Sequence, residues 1–217
     1  MSELCIHIGN KNYSSWSLRA WLALKQTGAA FAEVLIPLDQ SDSRERLRSH
    51  SPSGRVPVLR HGDLVVWESI AIAEYLAERF PGARLWPASP AARAVARAVS
   101  AEMHAGFVAL RTHLSMDMRS RYPGRGRTAE VAEDIGRIIT LWTECRARFG
   151  SGGDYLFGSF GIADAMYAPV VSRFVTYGVE LDGVAAAYRD AVWAWPALQE
   201  WVTAAHAEPW VIGDHSL

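Results

Sequence analysis

The chain has 217 residues, of which half are hydrophobic and 21% are charged, and its formal net charge is −1. This composition is typical of a globular protein with a sizeable core, and it excludes a global electrostatic attraction to nucleic acid or to membranes. The apolar runs are too short to predict a membrane-spanning helix. The two cysteines, Cys5 and Cys145, form no redox motif and predict no disulfide framework. With no signal peptide recognised, the expected compartment is the cytoplasm.

The first 80 residues predict a domain of alternating strands and helices, in the order βαβαββα. The predicted elements are a strand at 4–8, a helix from Ser14 or Ser15 to about 27, a strand at 31–36, a helix at 42–49, strands at 57–60 and 64–67, and a helix from 69 to 80. Because the first three elements form a β-α-β unit, their two strands are expected to run parallel.

Composition changes after residue 80. Prolines and a glycine interrupt residues 81–90, which predicts a linker between domain 1–80 and a second domain at 91–217. No strand pattern follows, so this second domain is expected to be all-helical. Its predicted helices cover 91–118, 129–149, 162–177, 184–194 and 197–206. Asp164, close to the start of the third helix, is interpreted as a folding element that favours the helix N-terminus.

Two segments of the first domain suit an amino-acid-like or peptide ligand. Pro57 opens a predicted strand, and a cis Val56–Pro57 bond would turn the backbone groups of Val56 outward to pair with an extended peptide. Glu68 and Ser69 lie where a strand meets a helix, whose free N–H groups suit a carboxylate, while Glu68 suits an ammonium group. The simpler interpretation is that Ser69 only caps its helix.

Ser14 and Ser15 lie at the start of the first helix, where a thiol would meet a hydroxyl donor and the positive end of the helix dipole. Both favour the thiolate, which is the nucleophilic form. A charge-assisted hydrogen bond together with the dipole can lower a thiol pKa by about two units. For either serine considered alone, plain helix capping is the alternative.

These segments together resemble a known family. The motifs at 14–19 (Ser-Ser-Trp-Ser-Leu-Arg), 55–59 (Arg-Val-Pro-Val-Leu) and 68–76 (Glu-Ser-Ile-Ala-Ile-Ala-Glu-Tyr-Leu), followed by a helical half, resemble the cytosolic glutathione S-transferases. The chain is most similar to the serine-type zeta group, which includes maleylacetoacetate isomerases, although Trp16 stands where that group typically has cysteine. The resemblance covers essentially the whole chain. It implies a thioredoxin-like N-terminal domain, an all-α C-terminal domain, glutathione as co-substrate, and a homodimer that acts in detoxification.

The resemblance also implies roles for individual residues. Ser14, the first of the serine pair, would activate the glutathione thiol, and the choice between it and Ser15 as the sulfur contact stays open. Val56 would meet the cysteinyl backbone of glutathione, and Glu68 and Ser69 would hold its γ-glutamyl end.

The donor for the glycine carboxylate of glutathione stays open between Gln40, His50 and Arg55. The pocket for the electrophile is expected between the domains. His104 and Arg111 share a spacing that lets one helix face carry both, together with the residue at 107. The candidates for this pocket are Tyr13, Met103, His104, Phe107, Arg111 and Met118.

The leading hypothesis is a glutathione transferase whose bound thiolate attacks a small hydrophobic electrophile or drives a cis-trans isomerisation. The alternative is a non-enzymatic glutathione-binding or interaction module of the same fold. Glutathione-linked thiol reduction is disfavoured, because no cysteine lies at positions 14–17. His206 and His215 show no metal-ligand pattern, so no metal is expected. The expected partners are glutathione, an electrophile and a second copy of the chain, with no nucleic acid and no membrane.

Overall fold

The computed structural model describes residues 3–212. Its first half contains β1 (Leu4–Ile8), α1 (Ser15–Gln26), β2 (Ala32–Leu35), α2 (Ser43–His50), β3 (Val58–His61), β4 (Leu64–Trp67) and α3 (Ser69–Arg79). A 3-10 turn at Pro81–Ala83 follows, and then α4 (Pro90–Ala105), α5 (Val108–His113), α6 (Ala129–Phe149), α7 (Ile162–Thr176), α8 (Gly183–Trp193) and α9 (Pro196–Ala207). Residues 1–2 and 213–217, including His215, lie outside the described residues.

The four strands form one mixed sheet in the order β2-β1-β3-β4. β1 runs parallel to β2, whereas β3 is antiparallel to both β1 and β4, which confirms the predicted βαβαββα order and its parallel first pair. The central strand β1 buries Leu4, Ile6 and Ile8 almost completely. Each such side chain contributes about 1.5–3 kcal/mol of burial free energy. This thioredoxin-like half positions the start of α1 at one end of the sheet.

The helical half is built around α7, which contacts α1, α4 and α8. Because α7 is covered on all sides, all of its residues except Val175 are buried. Asp164 accepts hydrogen bonds from the N–H of Gly161 at 2.9 Å and the N–H of Leu156 at 3.1 Å, as expected for a folding element. A Cβ atom on Gly161 would lie 2.7 Å from the carbonyl oxygen of Leu85, so glycine is needed at this position, where the linker packs against the start of α7. No helix within residues 3–212 is long and apolar enough to cross a membrane.

The predicted continuous helix at 91–118 is wrong. α4 ends at Ala105, and Phe107 adopts the left-handed conformation, with φ 54° and ψ 46°. Burial of the Phe107 ring, which is 7% exposed, stabilises this break, and Asp134 Oδ2 accepts the Leu110 N–H of α5 at 2.9 Å. His104 and Arg111 therefore belong to different helices, with Phe107 between them, and the three do not share one helix face.

Candidate functional site

Two neighbouring cavities lie between the sheet half and the helical half, and Trp16 lines both of them. The smaller cavity has a volume of about 240 Å³ and is lined by Trp16, Ser53, Arg55, Val56, Pro57, Glu68, Ser69 and His104. The larger has a volume of about 440 Å³, and its lining includes Tyr13, Ser14, Ser15, Arg111, Met116 and Arg173. Most of the residues singled out from the sequence therefore gather at one place.

The hydroxyl of Ser14 caps α1. Ser14 Oγ accepts a hydrogen bond from the Ser17 N–H at 3.3 Å and donates to Ser17 Oγ at 2.8 Å. Ser17 Oγ also accepts from the Gly9 N–H at 3.0 Å, so a buried hydrogen-bond chain connects the end of β1 with the start of α1. Ser15 is the first residue of α1, and its side chain does not cap the helix. Of the two serines, Ser14 is thus the cap.

Ser69 begins α3 at the wall of the smaller cavity. Glu68 is the residue at the N-cap position, with φ 71°, and its side chain makes no capping hydrogen bond. Ser69 is 1% exposed, and its hydroxyl has no hydrogen-bond partner in the described part of the chain. The interpretation of Ser69 as a simple helix cap is therefore wrong. A buried hydroxyl and the free N–H groups of a helix start are left together, which suits a carboxylate ligand.

Val56 precedes a cis peptide bond to Pro57, as the sequence predicts. Pro57 is buried, and β3 begins one residue later at Val58, so Val56 lies just outside the strand ladder. Within residues 3–212, no hydrogen bond is made to the backbone N–H or carbonyl of Val56. An extended peptide can therefore pair with these groups as an added strand.

The three candidates for holding the glycine carboxylate of glutathione have different positions. Arg55 is exposed at the surface and lines the smaller cavity. Gln40 lies outside the lining of both cavities, and its side-chain amide donates to the carbonyls of Leu38 and Asp39. His50 packs against the His7 ring with a centroid separation of 4.5 Å. Arg55 is the candidate that the cavity geometry favours.

The residues predicted to bind the electrophile lie in three different places. Tyr13 and Arg111 line the larger cavity, whereas His104 lines the smaller one, where its Nε2 lies 3.9 Å from Glu68 Oε2. The pKa of His104 is lowered, first by burial and then by the charge of Arg19. The remaining candidates belong to the hydrophobic core, with exposures of 7% or less: Met103, Phe107 and Met118.

Tyr13 is held by contacts from the helical half. Arg119 donates to Tyr13 Oη at 3.0 Å through Nη2, and also to the carbonyl oxygens of Glu208 at 2.7 Å and Trp210 at 2.8 Å. The Glu208 carboxylate accepts the N–H of Lys11 at 2.7 Å. The C-terminal segment thus fixes the loop that leads into α1.

Sequence reasoning missed several residues of the site. Trp16 lies in the motif of the serine pair, and its ring makes edge contact with His104 at a centroid distance of 5.1 Å. Arg19 lies in the same motif, and its guanidinium carbon is 4.3 Å from the Trp16 ring centroid. Arg173 comes from the last turn of α7, and nothing in the local pattern of that helix indicates a cavity. Within the described residues, no group of His, Cys, Asp or Glu could hold a metal ion.

Comparisons with known proteins agree with this geometry. The family model "Glutathione S-transferase, N-terminal domain" matches residues 13–79, and "Glutathione S-transferase, C-terminal domain" matches residues 128–204. The chain is 32% identical to glutathione S-transferase GstB of Escherichia coli, over 80% of this chain and 85% of that protein. It is 27% identical to a maleylacetoacetate isomerase of Pseudomonas aeruginosa, over 92% and 89% of the two chains. A Burkholderia glutathione transferase homolog solved with bound glutathione aligns with a TM-score of 0.71 at 24% identity, over 94% of this chain and 99% of that one, which shows the shared fold.

Proposed function

Because the chain belongs to the glutathione S-transferase family, we propose that it binds glutathione in the smaller cavity and activates the thiol for attack on an electrophile in the larger cavity. In a transfer reaction, the sulfur forms a bond to carbon while a leaving group departs with its electron pair. In an isomerisation, the sulfur adds to a conjugated carbon, the adjacent bond rotates, and the sulfur is expelled. Both reactions need the same thiolate, so one site serves either.

The single observation that carries this proposal is the buried hydroxyl of Ser69, which lacks a partner among the described residues at the start of α3. In our proposal this hydroxyl and the nearby N–H groups hold the γ-glutamyl carboxylate of glutathione. Glu68, whose side chain is 51% exposed, pairs with the ammonium group of the same head. The backbone of Val56, beside Pro57, pairs with the cysteinyl residue of glutathione. Arg55 binds the glycine carboxylate of the same tripeptide.

Ser14 is proposed to stabilise the thiolate. Its hydroxyl hydrogen, now donated to Ser17 Oγ, turns toward the sulfur when glutathione binds. Since a hydroxyl can both donate and accept, Ser17 then donates its own hydrogen to Ser14 Oγ while still accepting from Gly9. The thiol proton leaves to solvent. The hydrogen bond and the positive end of α1 together favour the charged sulfur.

The test compares glutathione with cysteinylglycine, which has the thiol and the glycine carboxylate but lacks the γ-glutamyl group. Calorimetry should detect binding of glutathione, and binding of the dipeptide should be at least tenfold weaker. Turnover with a panel of electrophiles should depend on glutathione and saturate with it. Equal affinity for both thiols would contradict the assigned binding mode, and glutathione binding without turnover on any electrophile would contradict the transferase activity.

We further propose, from the family membership, that the protein is a cytoplasmic homodimer that acts in detoxification, with domain 1–80, linker 81–90 and helical domain 91–217. Size-exclusion chromatography with light scattering tests the dimer. A mass equal to one chain of 23.9 kDa at micromolar concentration would contradict it.

A further inference from the structure

Another cavity lies beside the linker that joins the two halves of the molecule, and we call it the linker cavity. Its wall is formed by the linker at 84–89, the first turns of α4, the end of α6 with the loop after it, and the start of α7. It has a volume of about 380 Å³ and shares no lining residue with the smaller or the larger cavity. Since an α-helix rises about 1.5 Å per residue, Ala92 in its wall lies about 18 Å from His104 along α4. The linker cavity is therefore a separate place from the proposed active site.

Small side chains leave this space open where α4 packs against α7. Ala92 and Ala96 of α4 and Ala163 of α7 all line the cavity, and all three are buried. A larger apolar side chain at any of these positions would extend into the cavity and fill part of it. Pockets that hold small molecules have volumes of about 300–1,000 Å³, so the linker cavity is large enough for one compact ligand.

Three aromatic side chains of the wall are fixed by their neighbours. Trp86 is buried, its Nε1 donates to Glu74 Oε2 at 2.9 Å, and the Cζ of Arg97 lies 5.2 Å from its ring centroid. The rings of Phe149 and Phe157 stack with a centroid distance of 5.6 Å and an interplanar angle of 24°. Because these rings are already ordered, a ligand that packs on them loses little of its binding free energy to ordering the protein. Their flat apolar surfaces suit an aromatic ligand.

The charge that a ligand meets in the linker cavity is positive. Arg84 and Arg148 both line it, and the Cζ of Arg148 is held 4.8 Å from the ring centroid of Phe149. Neither arginine forms an ion pair with a carboxylate in the described part of the chain. The acidic residue of the wall, Asp164, is 1% exposed, and it accepts a hydrogen bond from the Tyr188 hydroxyl at 3.0 Å besides the two N–H groups described above. Its charge is thus used within the protein, whereas the two guanidinium groups are exposed.

We propose that the linker cavity binds a small planar aromatic carboxylate, with its ring against the aromatic side chains and its carboxylate on the guanidinium groups of Arg84 and Arg148. The planar fork of a guanidinium matches a carboxylate with two parallel hydrogen bonds, which gives orientation as well as affinity. The positive dipole ends of α4 and α7, which both begin at this cavity, favour the same charge. The inference does not depend on the proposed function, since no residue assigned to glutathione or to the electrophile lines this cavity.

The first test compares three probes by calorimetry on the wild-type protein. Naphthalene carboxylate has both the aromatic ring and the charge, naphthalene carboxamide lacks the charge, and cyclohexane carboxylate lacks the aromatic ring. The first should bind with a Kd below about 1 mM, and the other two should each bind at least tenfold more weakly. A Kd for naphthalene carboxylate above about 1 mM, or an equal affinity for either of the other probes, would overturn the proposal.

Variants then locate the bound probe. Arg148→Gln should weaken naphthalene carboxylate about fivefold and leave the affinity for the carboxamide unaltered. Arg121→Gln is the matched control, since Arg121 is exposed, lies outside the linker cavity and carries the same charge. An unchanged Kd for the carboxylate in Arg148→Gln, or an equal loss in Arg121→Gln, would overturn the proposal.

Ala92→Leu tests the cavity itself, because the larger side chain occupies the space that the ring needs. Binding of naphthalene carboxylate should fall at least tenfold while the thermal midpoint stays within a few degrees of the wild type. Binding that survives in a folded Ala92→Leu would place the probe elsewhere on the protein and overturn the proposal. If this variant does not fold, Arg84→Gln takes its place, with the same fivefold loss expected as for Arg148→Gln.

Discussion

Replacing Ser14 with alanine removes one hydroxyl that has two roles. In the folded protein it caps α1 through the Ser17 N–H, and loss of such a cap costs about 1 kcal/mol of stability. In the proposed reaction it donates to the thiolate, and a hydrogen bond to a charged group contributes about 1.5–3 kcal/mol. Because one pKa unit corresponds to about 1.4 kcal/mol, the pKa of the bound thiol should rise by about one to two units in Ser14→Ala.

The assay follows the ultraviolet absorbance of the thiolate as the pH of glutathione-saturated protein is raised, in parallel with turnover. At pH 7 the turnover of Ser14→Ala should fall about ten- to hundredfold and recover as the pH rises, while the Kd for glutathione changes little. Ser15→Ala is the matched control, since Ser15 lines the same cavity but does not cap the helix. An unshifted thiol pKa in Ser14→Ala, or an equal shift in Ser15→Ala, would refute the role of Ser14.

Three further perturbations probe other parts of the molecule. Ser69→Ala should raise the Kd for glutathione, measured by calorimetry, about tenfold. The thermal midpoint should not fall, because the hydroxyl has no partner to lose in residues 3–212. A lower midpoint with an unchanged Kd would contradict this prediction. The pKa of His7 is lowered to about 4, first by burial and then by His50, so its neutral form stabilises the fold fully above pH 6.5. That stability, up to about 3 kcal/mol, is lost as the pH falls toward 4. Urea unfolding of His7→Gln should therefore show a flatter pH dependence than the wild type, and an equally steep pH dependence would contradict the role of His7. Arg119→Gln removes the hydrogen bond to the Glu208 carbonyl, so the free energy of unfolding should fall by about 1.5–3 kcal/mol. An unaltered urea midpoint would contradict a stabilising role for Arg119.

The parts of the site that follow from the sequence are those set by local geometry. The Val56–Pro57 segment and the Ser14 cap depend on neighbours within a few residues, and both agree with the structure. The local pattern left Ser69 open between a helix cap and a carboxylate contact. In the structure Glu68, with φ 71°, takes the N-cap position, and the Ser69 hydroxyl has no partner among the described residues. The helix break at Phe107 depends on Asp134, which is distant in sequence. Local patterns carry no record of such contacts.

Arg19 illustrates the same limit. It follows the serine pair in a motif that is visible in the sequence, but its surroundings depend on the side chains that α5 and α7 bring to it.

The start of α1, where we propose that the thiol is activated, is fixed by both halves of the molecule. The N–H groups of Lys11 and Asn12, in the loop before Ser14, donate to the Glu208 carboxylate at 2.7 and 3.1 Å, and the Asn12 side chain donates to Asp117 at 2.9 Å. Hydrogen bonds to charged groups are worth about 1.5–3 kcal/mol each, so this loop is held more firmly than the sheet alone could hold it. A helix dipole and a hydroxyl stabilise a thiolate only when their positions relative to the sulfur are fixed. The helical half therefore does more than line the larger cavity, because it also holds the loop that positions Ser14.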